Sequence, residues 1–159
     1  MQHGLTEEAY RRVFWPKVVL IGSRRFYNQM TALYERFAEN SIDVLLPWAF
    51  FCSEEDPRRY EIAPEIGERF NEEAHLLRIK SADIAYIINQ EGYIGTNSAF
   101  DIGFAVGSRI SVYSTEPTEN SSIITNGVKT LEEIISLAKE IYEKKYKPRV
   151  TEFEMGVKS

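Results

Sequence analysis

The chain holds one cysteine, Cys52. A single thiol excludes an internal disulfide and any zinc site built on several thiolates, and it fits a reducing compartment. No histidine and acidic cluster has the spacing of a metal centre, and no cofactor is expected. Long apolar runs are missing as well: none approaches the roughly 20 residues a membrane-spanning helix needs. The opening residues MQHGLTEEAYRR lack the apolar core of a signal peptide, so a cytoplasmic location is expected. Basic charge is in deficit. The net charge of -5 gives a surface that repels nucleic acid and anionic membranes, while leaving room for a local basic pocket around one phosphate. Repeats, low-complexity tracts and linkers are absent too. The 159 residues are therefore expected to form one domain, with 1–15 as an N-terminal extension and 146–159 as a polar C-terminal tail.

What is present is an alternation. Hydrophobic residues make up 43% of the chain, and they come in short blocks. Residues 17–22 (KVVLIG), 42–46 (IDVLL), 83–88 (DIAYII) and 109–113 (RISVY) read as strands buried on both faces, and 122–124 as a short further strand. Between them, 29–39 and 129–145 carry apolar residues at helical spacing, 64–80 reads as a helix with Pro64 in its first turn, and 98–107 as the helix that follows the Gly-containing loop. Residues 6–14 suit a short charged helix ended by Pro16. The pattern predicts an α/β fold: an open parallel sheet of about five strands with helices on both faces, Rossmann- or flavodoxin-like. Ligands of such sheets bind beyond the carboxyl ends of the strands. The loops after the first and third strands are therefore the places to look.

The loop after the third strand is the richest in chemistry. Gly92 and Gly95 permit tight turns and close approach of a ligand. Thr96, Asn97 and Ser98 are helix N-cap types, and unpaired N–H groups at a helix start attract anions. Asp101 follows about one turn later, where the helix N-terminus favours its charged form. The bland account is ordinary loop-to-helix punctuation with an acid in the first turn. Asn71, His75 and Arg78 share one stripe of the preceding helix. Ser23, Arg24 and Arg25 follow the first strand and suit a ribose or phosphate oxygen, or else a solvated turn. Trp48, Phe50 and Phe51 suit stacking on a base, though such residues more often fill cores or interfaces.

Gly92-Tyr93-Ile94-Gly95 followed by Asp101-Ile102-Gly103-Phe104-Ala105 resembles the signature of the nucleoside 2-deoxyribosyltransferase-like family. Ile79-Lys80-Ser81-Ala82-Asp83 and residues 17–23 resemble that family's helix end and first strand, so the likeness spans roughly residues 17 to 113. It implies cleavage of a nucleoside or nucleotide N-glycosidic bond, or (deoxy)ribosyl transfer, through a carboxylate nucleophile and a glycosyl–enzyme ester. Asp101 takes the nucleophile's position and His75 that of a second catalytic group. Gly22, Ser23, Gly92, Tyr93, Gly95, Asn97 and Ser98 would bind the substrate. A small-molecule nucleoside or nucleotide partner and a homo-oligomer are implied, without nucleic acid polymer or membrane. The family carries glutamate where this chain has Asp101, one methylene shorter, and a displacement of about 1 Å can cost on the order of a hundredfold in rate. The alternative is therefore a nucleotide-binding module without turnover. Phosphoribohydrolases with Gly-Gly-x-Gly-Thr-x-x-Glu loops fit less well, because Ala99 stands where their glutamate would be. A flavodoxin-like cofactor protein would need a Ser/Thr-rich phosphate loop that does not follow the first strand.

Overall fold

The computed structural model describes residues 11–47, 64–120, 123 and 125–158. Trp48, Phe50 and Phe51, and most of the expected N-terminal helix, lie outside them. Four strands form one parallel sheet: β1 (Lys17–Gly22), β2 (Asp43–Leu45), β3 (Ile84–Ile88) and β4 (Ser111–Ser114), in the order β2-β1-β3-β4. β1 pairs with β3 from Val18↔Ile84 to Gly22↔Ile88, and with β2 from Lys17↔Asp43. Chain order thus runs outward in both directions from the β1–β3 seam, which makes that seam the topological switch point of the sheet.

Alternation along the strands decides which helix covers which face. Val18, Leu20, Ile84, Tyr86 and Ile88 pack against Met30 and Phe37 of α1 (Tyr27–Glu39) and Ile134, Ile135 and Ala138 of α4 (Leu131–Ile141). Val19, Ile21, Ala85 and Ile87 face Ile79 of α2 (Pro64–Ser81) and Ile102 and Ala105 of α3 (Thr96–Gly107). The result is three layers, with the all-buried β3 at the centre. Because each helix returns the chain from one parallel strand to the next, α2 and α3 run side by side against the strand direction, and their N-termini lie at the strands' carboxyl edge. α4 starts with a capping box in which Thr130 and Glu133 bond each other's backbone N–H. Among the described residues, no helix is long and apolar enough to cross a membrane.

Two expectations need correction. Of the expected strand at 122–124 only Ile123 is described, and it lies in a bend; beyond β4 the sheet gains a single parallel bridge, Ser114↔Val128. The expected polar tail is a helix, α5 (Lys147–Lys158), joined to α4 through a π-helical turn, Tyr142–Tyr146. Pro148 explains the widened turn. A proline has no N–H for the i−4 carbonyl and its ring crowds that carbonyl, so the helix loosens just before it, with the Lys147 N–H reaching back to the Tyr142 carbonyl. The connection is anchored at the sheet's amino edge. Asp83 accepts from the Lys17 N–H (2.9 Å), the Tyr146 hydroxyl (2.7 Å) and Lys145 Nζ (2.6 Å). Burial alone would raise the pKa of Asp83, but these hydrogen bonds outweigh it and hold the group below its usual value.

Candidate functional site

At the switch point β1 stops at Gly22. A Cβ there would lie 2.5 Å from the Met30 methyl and 2.9 Å from the Ile88 carbonyl oxygen, so a side chain would force the seam apart. Ser23 caps the next short turn, Arg24–Phe26, its Oγ accepting from the Arg25 N–H at 3.4 Å. The turn then meets the loop after β3. The Arg25 guanidinium lies 3.8 Å from the centre of the Tyr93 ring, and Phe26 packs edge-on to the same ring at 6.3 Å. Tyr93 packs with the α1/α4 layer and Ile94 with the α2/α3 layer, so this loop straddles the sheet where ligands of such folds bind.

The loop is held in shape from below. Glu91 and Gly92 take positive φ (59° and 77°), and a Cβ on Gly92 would press to 3.0 Å on the Pro117 carbonyl oxygen. Asn89, fully buried, ties this loop to the one after β4. Its Oδ1 accepts from Thr115 Oγ1 (3.0 Å) and the Glu116 N–H (3.1 Å), and its Nδ2 donates to the Glu116 carbonyl (2.8 Å). Thr96, Asn97 and Ser98 do not act as the expected cap. The N-cap is Gly95 without a side-chain bond, and the three polar residues occupy the helix's first turn, Asn97 exposed and Ser98 buried. The N–H groups of that turn are therefore not capped by a side chain.

One turn further, Asp101 is buried between α2 and α3. Across from it on α2 stand Glu72, His75 and Arg78. His75 Nε2 approaches Asp101 Oδ2 to 3.5 Å, and the Glu72 and Asp101 carboxyl groups meet within hydrogen-bonding reach. Among the described residues, every buried side-chain polar atom without a hydrogen-bond partner belongs to this cluster: Glu72 Oε1, both ring nitrogens of His75, Arg78 Nη1 and Asp101 Oδ1. Leaving a buried polar group unpaired costs about 1–3 kcal/mol, and folded chains keep few such groups. Five in one place form a site that a polar ligand can complete.

The charge state corrects a further expectation. Burial, together with the hydrogen bond and charge of Glu72, pushes the Asp101 pKa up to about 8, outweighing the helix N-terminus that was expected to keep it ionised. Burial, and then the positive charge of Arg78, push His75 down to about 4. The 3.5 Å approach thus has the spacing of an ion pair but joins a neutral imidazole to a protonated carboxyl at neutral pH. The sequence signals for Asp101 and His75 lead to one site. The partnership of Glu72 was not foreseen; its only signal is that it precedes His75 by one helical turn. The side chain of Asn71 lies outside the description. At the opposite edge of the sheet a groove of about 330 Å³ is lined by Asp83, Leu137, Glu140, Ile141, Lys144 and Lys145, where both Asp83 oxygens are already bonded.

No family model and no curated protein matches the chain. Solved structures do. A conserved protein from Enterococcus faecalis V583 superposes with a TM-score of 0.52 at 15% identity, over 79% of this chain and 98% of that one. A 2-deoxyribosyltransferase from Bacillus psychrosaccharolyticus superposes with a TM-score of 0.51, also at 15% identity, over 75% of this chain and 90% of that one. The likeness establishes a shared fold.

Proposed function

We propose that this single-domain chain acts, as a homo-oligomer, on the N-glycosidic bond of a nucleoside or nucleotide, by hydrolysis or by transfer of the sugar. One observation carries the reading. The carboxyl at the position of the family's nucleophile is buried beside a neutral histidine, and the unpartnered polar atoms of the described structure gather around them. The signature resemblance and the shared fold with a 2-deoxyribosyltransferase supply the substrate class. In this reading Gly22, Ser23, Gly92, Tyr93, Gly95, Asn97 and Ser98 line the sugar and phosphate side, along the β1 and β3 loops and the start of α3. Asp101, once deprotonated, attacks the sugar carbon that bears the base. The C–N bonding electrons leave with the base, and an ester forms on Asp101. His75, uncharged near neutrality, holds the departing base by a hydrogen bond rather than by donating a charge-carrying proton. Water or a second base then attacks the same carbon and restores the carboxylate.

The test is incubation with a panel of nucleosides and nucleotides, followed by chromatography for free base. The binding-module reading keeps one specific observation in its favour: Asp101 holds a proton near neutral pH, and a protonated carboxyl does not attack. Release of no base from any member of the panel, with nucleotide still bound, would decide for that reading.

A further inference from the structure

Two carboxyl groups in contact cannot both be charged unless a cation lies between them. Among the described residues, His75 and Arg78 of α2 are the other groups with unpartnered buried polar atoms, and the layer on which α2 and α3 pack is apolar, with Val19, Ile21 and Val112. Neither ring nitrogen of His75 makes a hydrogen bond, and Arg78 Nη1 has no partner. No described cation therefore forms a bonded bridge between the two acids. A hydrogen bond between two carboxyl groups needs one proton, and a buried contact of this kind holds together only with it.

We propose that Glu72 is a further functional residue of the site: its carboxyl and that of Asp101 hold one proton between them, and this shared proton is the one that leaves with the base. The catalytic half of the statement rests on the N-glycosidic reading above; the shared proton does not. The bookkeeping closes. As Asp101 attacks the sugar carbon, the proton settles on Glu72 and passes to the nitrogen that takes the C–N electron pair. Glu72 is left as a carboxylate. It then accepts a proton from the water that opens the ester, the water oxygen bonds the sugar carbon, and the Asp101 carboxylate departs. One proton lies between the two acids at the end, as at the start. Glu72 Oε1, buried and without a hydrogen-bond partner, is the acceptor that the water step needs.

The full-length chain labelled with ¹³C at aspartate and glutamate carboxyls tests this without any ligand. In the natural protein one aspartate carboxyl, removed in Asp101→Asn, is expected to titrate above pH 6, well clear of the ordinary value of about 4. In Glu72→Gln the Asp101 signal is expected to move down by at least about one pH unit, because the carboxyl partner is gone while an amide of the same shape remains. If the natural Asp101 finishes titrating below about pH 5, or keeps its midpoint in Glu72→Gln, the shared proton is refuted. The first of these results needs no variant of Glu72 to fold. With a nucleoside that is cleaved, Glu72→Gln should lower kcat, and the ratio of its rate at pH 6 to that at pH 8 should fall by about twofold or more, because the natural site works with its shared proton in place and loses it toward pH 8, whereas the variant needs only an ionised Asp101. An unchanged ratio would overturn the catalytic half. A titration that moves as expected in a protein that cleaves nothing would support the pair and count against the N-glycosidic reading alone.

Discussion

At Asp101 the side chain's length and its proton pull in different directions. Asp101→Asn keeps the size and the polar contacts but removes the attacking oxygen, so it should still bind nucleotide while base release falls below detection. Chromatography of the reaction and a binding titration check the two halves. Asp101→Glu supplies the methylene found in the related family, yet the added length has nowhere to go: the carboxyl is buried and already meets Glu72 and His75. It is expected to lower cleavage rather than raise it, with an overpacking penalty of about 1–3 kcal/mol seen as a lower midpoint in urea. A more active and equally stable Asp101→Glu would mean that the backbone has not adjusted to aspartate. Asp101 and His75 were legible in the sequence because each stands in a motif register. Glu72 was not, because a glutamate in a charged helical stretch reads as solvent-facing. Its place beside Asp101 depends on α2 and α3 lying side by side, which no local pattern encodes. The protonation of Asp101 was hidden for the same reason.

Among the elements, legibility followed burial. β1 and β3 carry unbroken apolar runs and lie at the sheet centre, where both faces are covered, and their residues could be read almost to the position. α4 declared itself through an apolar stripe, while its capping box came to light only in the structure. α5 did not declare itself: residues 151–156 are exposed, so its described side chains offer no buried stripe for periodicity to reveal, and Pro148 reads as a stop rather than as the residue that the π turn accommodates. The seam between β1 and β3 is the element-scale feature on which the site depends. Gly22→Ala would place a methyl against the Ile88 carbonyl oxygen, a backbone atom that cannot swing away, as well as the more pliant end of Met30. A loss of roughly 1–3 kcal/mol in chemical denaturation is expected, together with weaker nucleotide binding as the two loops splay. Wild-type stability in Gly22→Ala would show that the seam relaxes freely.

For the whole molecule, apolar side chains remain in the open on the α2/α3 layer, with Leu77 70% and Phe100 58% exposed, and Met155 of α5 is 68% exposed. Scattered exposure is ordinary, but Leu77 and Phe100 stand on adjoining helices that also hold the site. Light scattering at micromolar concentration should show a dimer or larger, and Leu77→Glu with Phe100→Glu should shift it toward monomer; a natural protein that is monomeric throughout would remove the homo-oligomer from the reading. Proton linkage gives a molecule-wide signature of the buried site. Asp101 keeps its proton when folded up to about pH 8 but loses it near 3.8 when unfolded, so the unfolded chain binds fewer protons in between, and stability falls as pH rises through that window. His75 has the opposite sign. It is neutral when folded down to about pH 4 but protonated below 6.5 when unfolded, so its contribution grows as pH rises from 4 to 6.5. The two oppose each other up to pH 6.5, and of the two Asp101 alone acts from there to 8. Asp83, whose folded pKa is depressed, loses its contribution only as pH falls below the ordinary carboxylate range. The natural protein should therefore melt a few degrees lower at pH 8 than at pH 6.5, and Asp101→Asn should flatten that limb. With the carboxyl gone, Asp101 no longer offsets His75, so the same variant should lose melting temperature on acidification from pH 6.5 to 4. A natural protein whose melting temperature does not change between pH 6.5 and 8 would mean that Asp101 is ionised in the folded state.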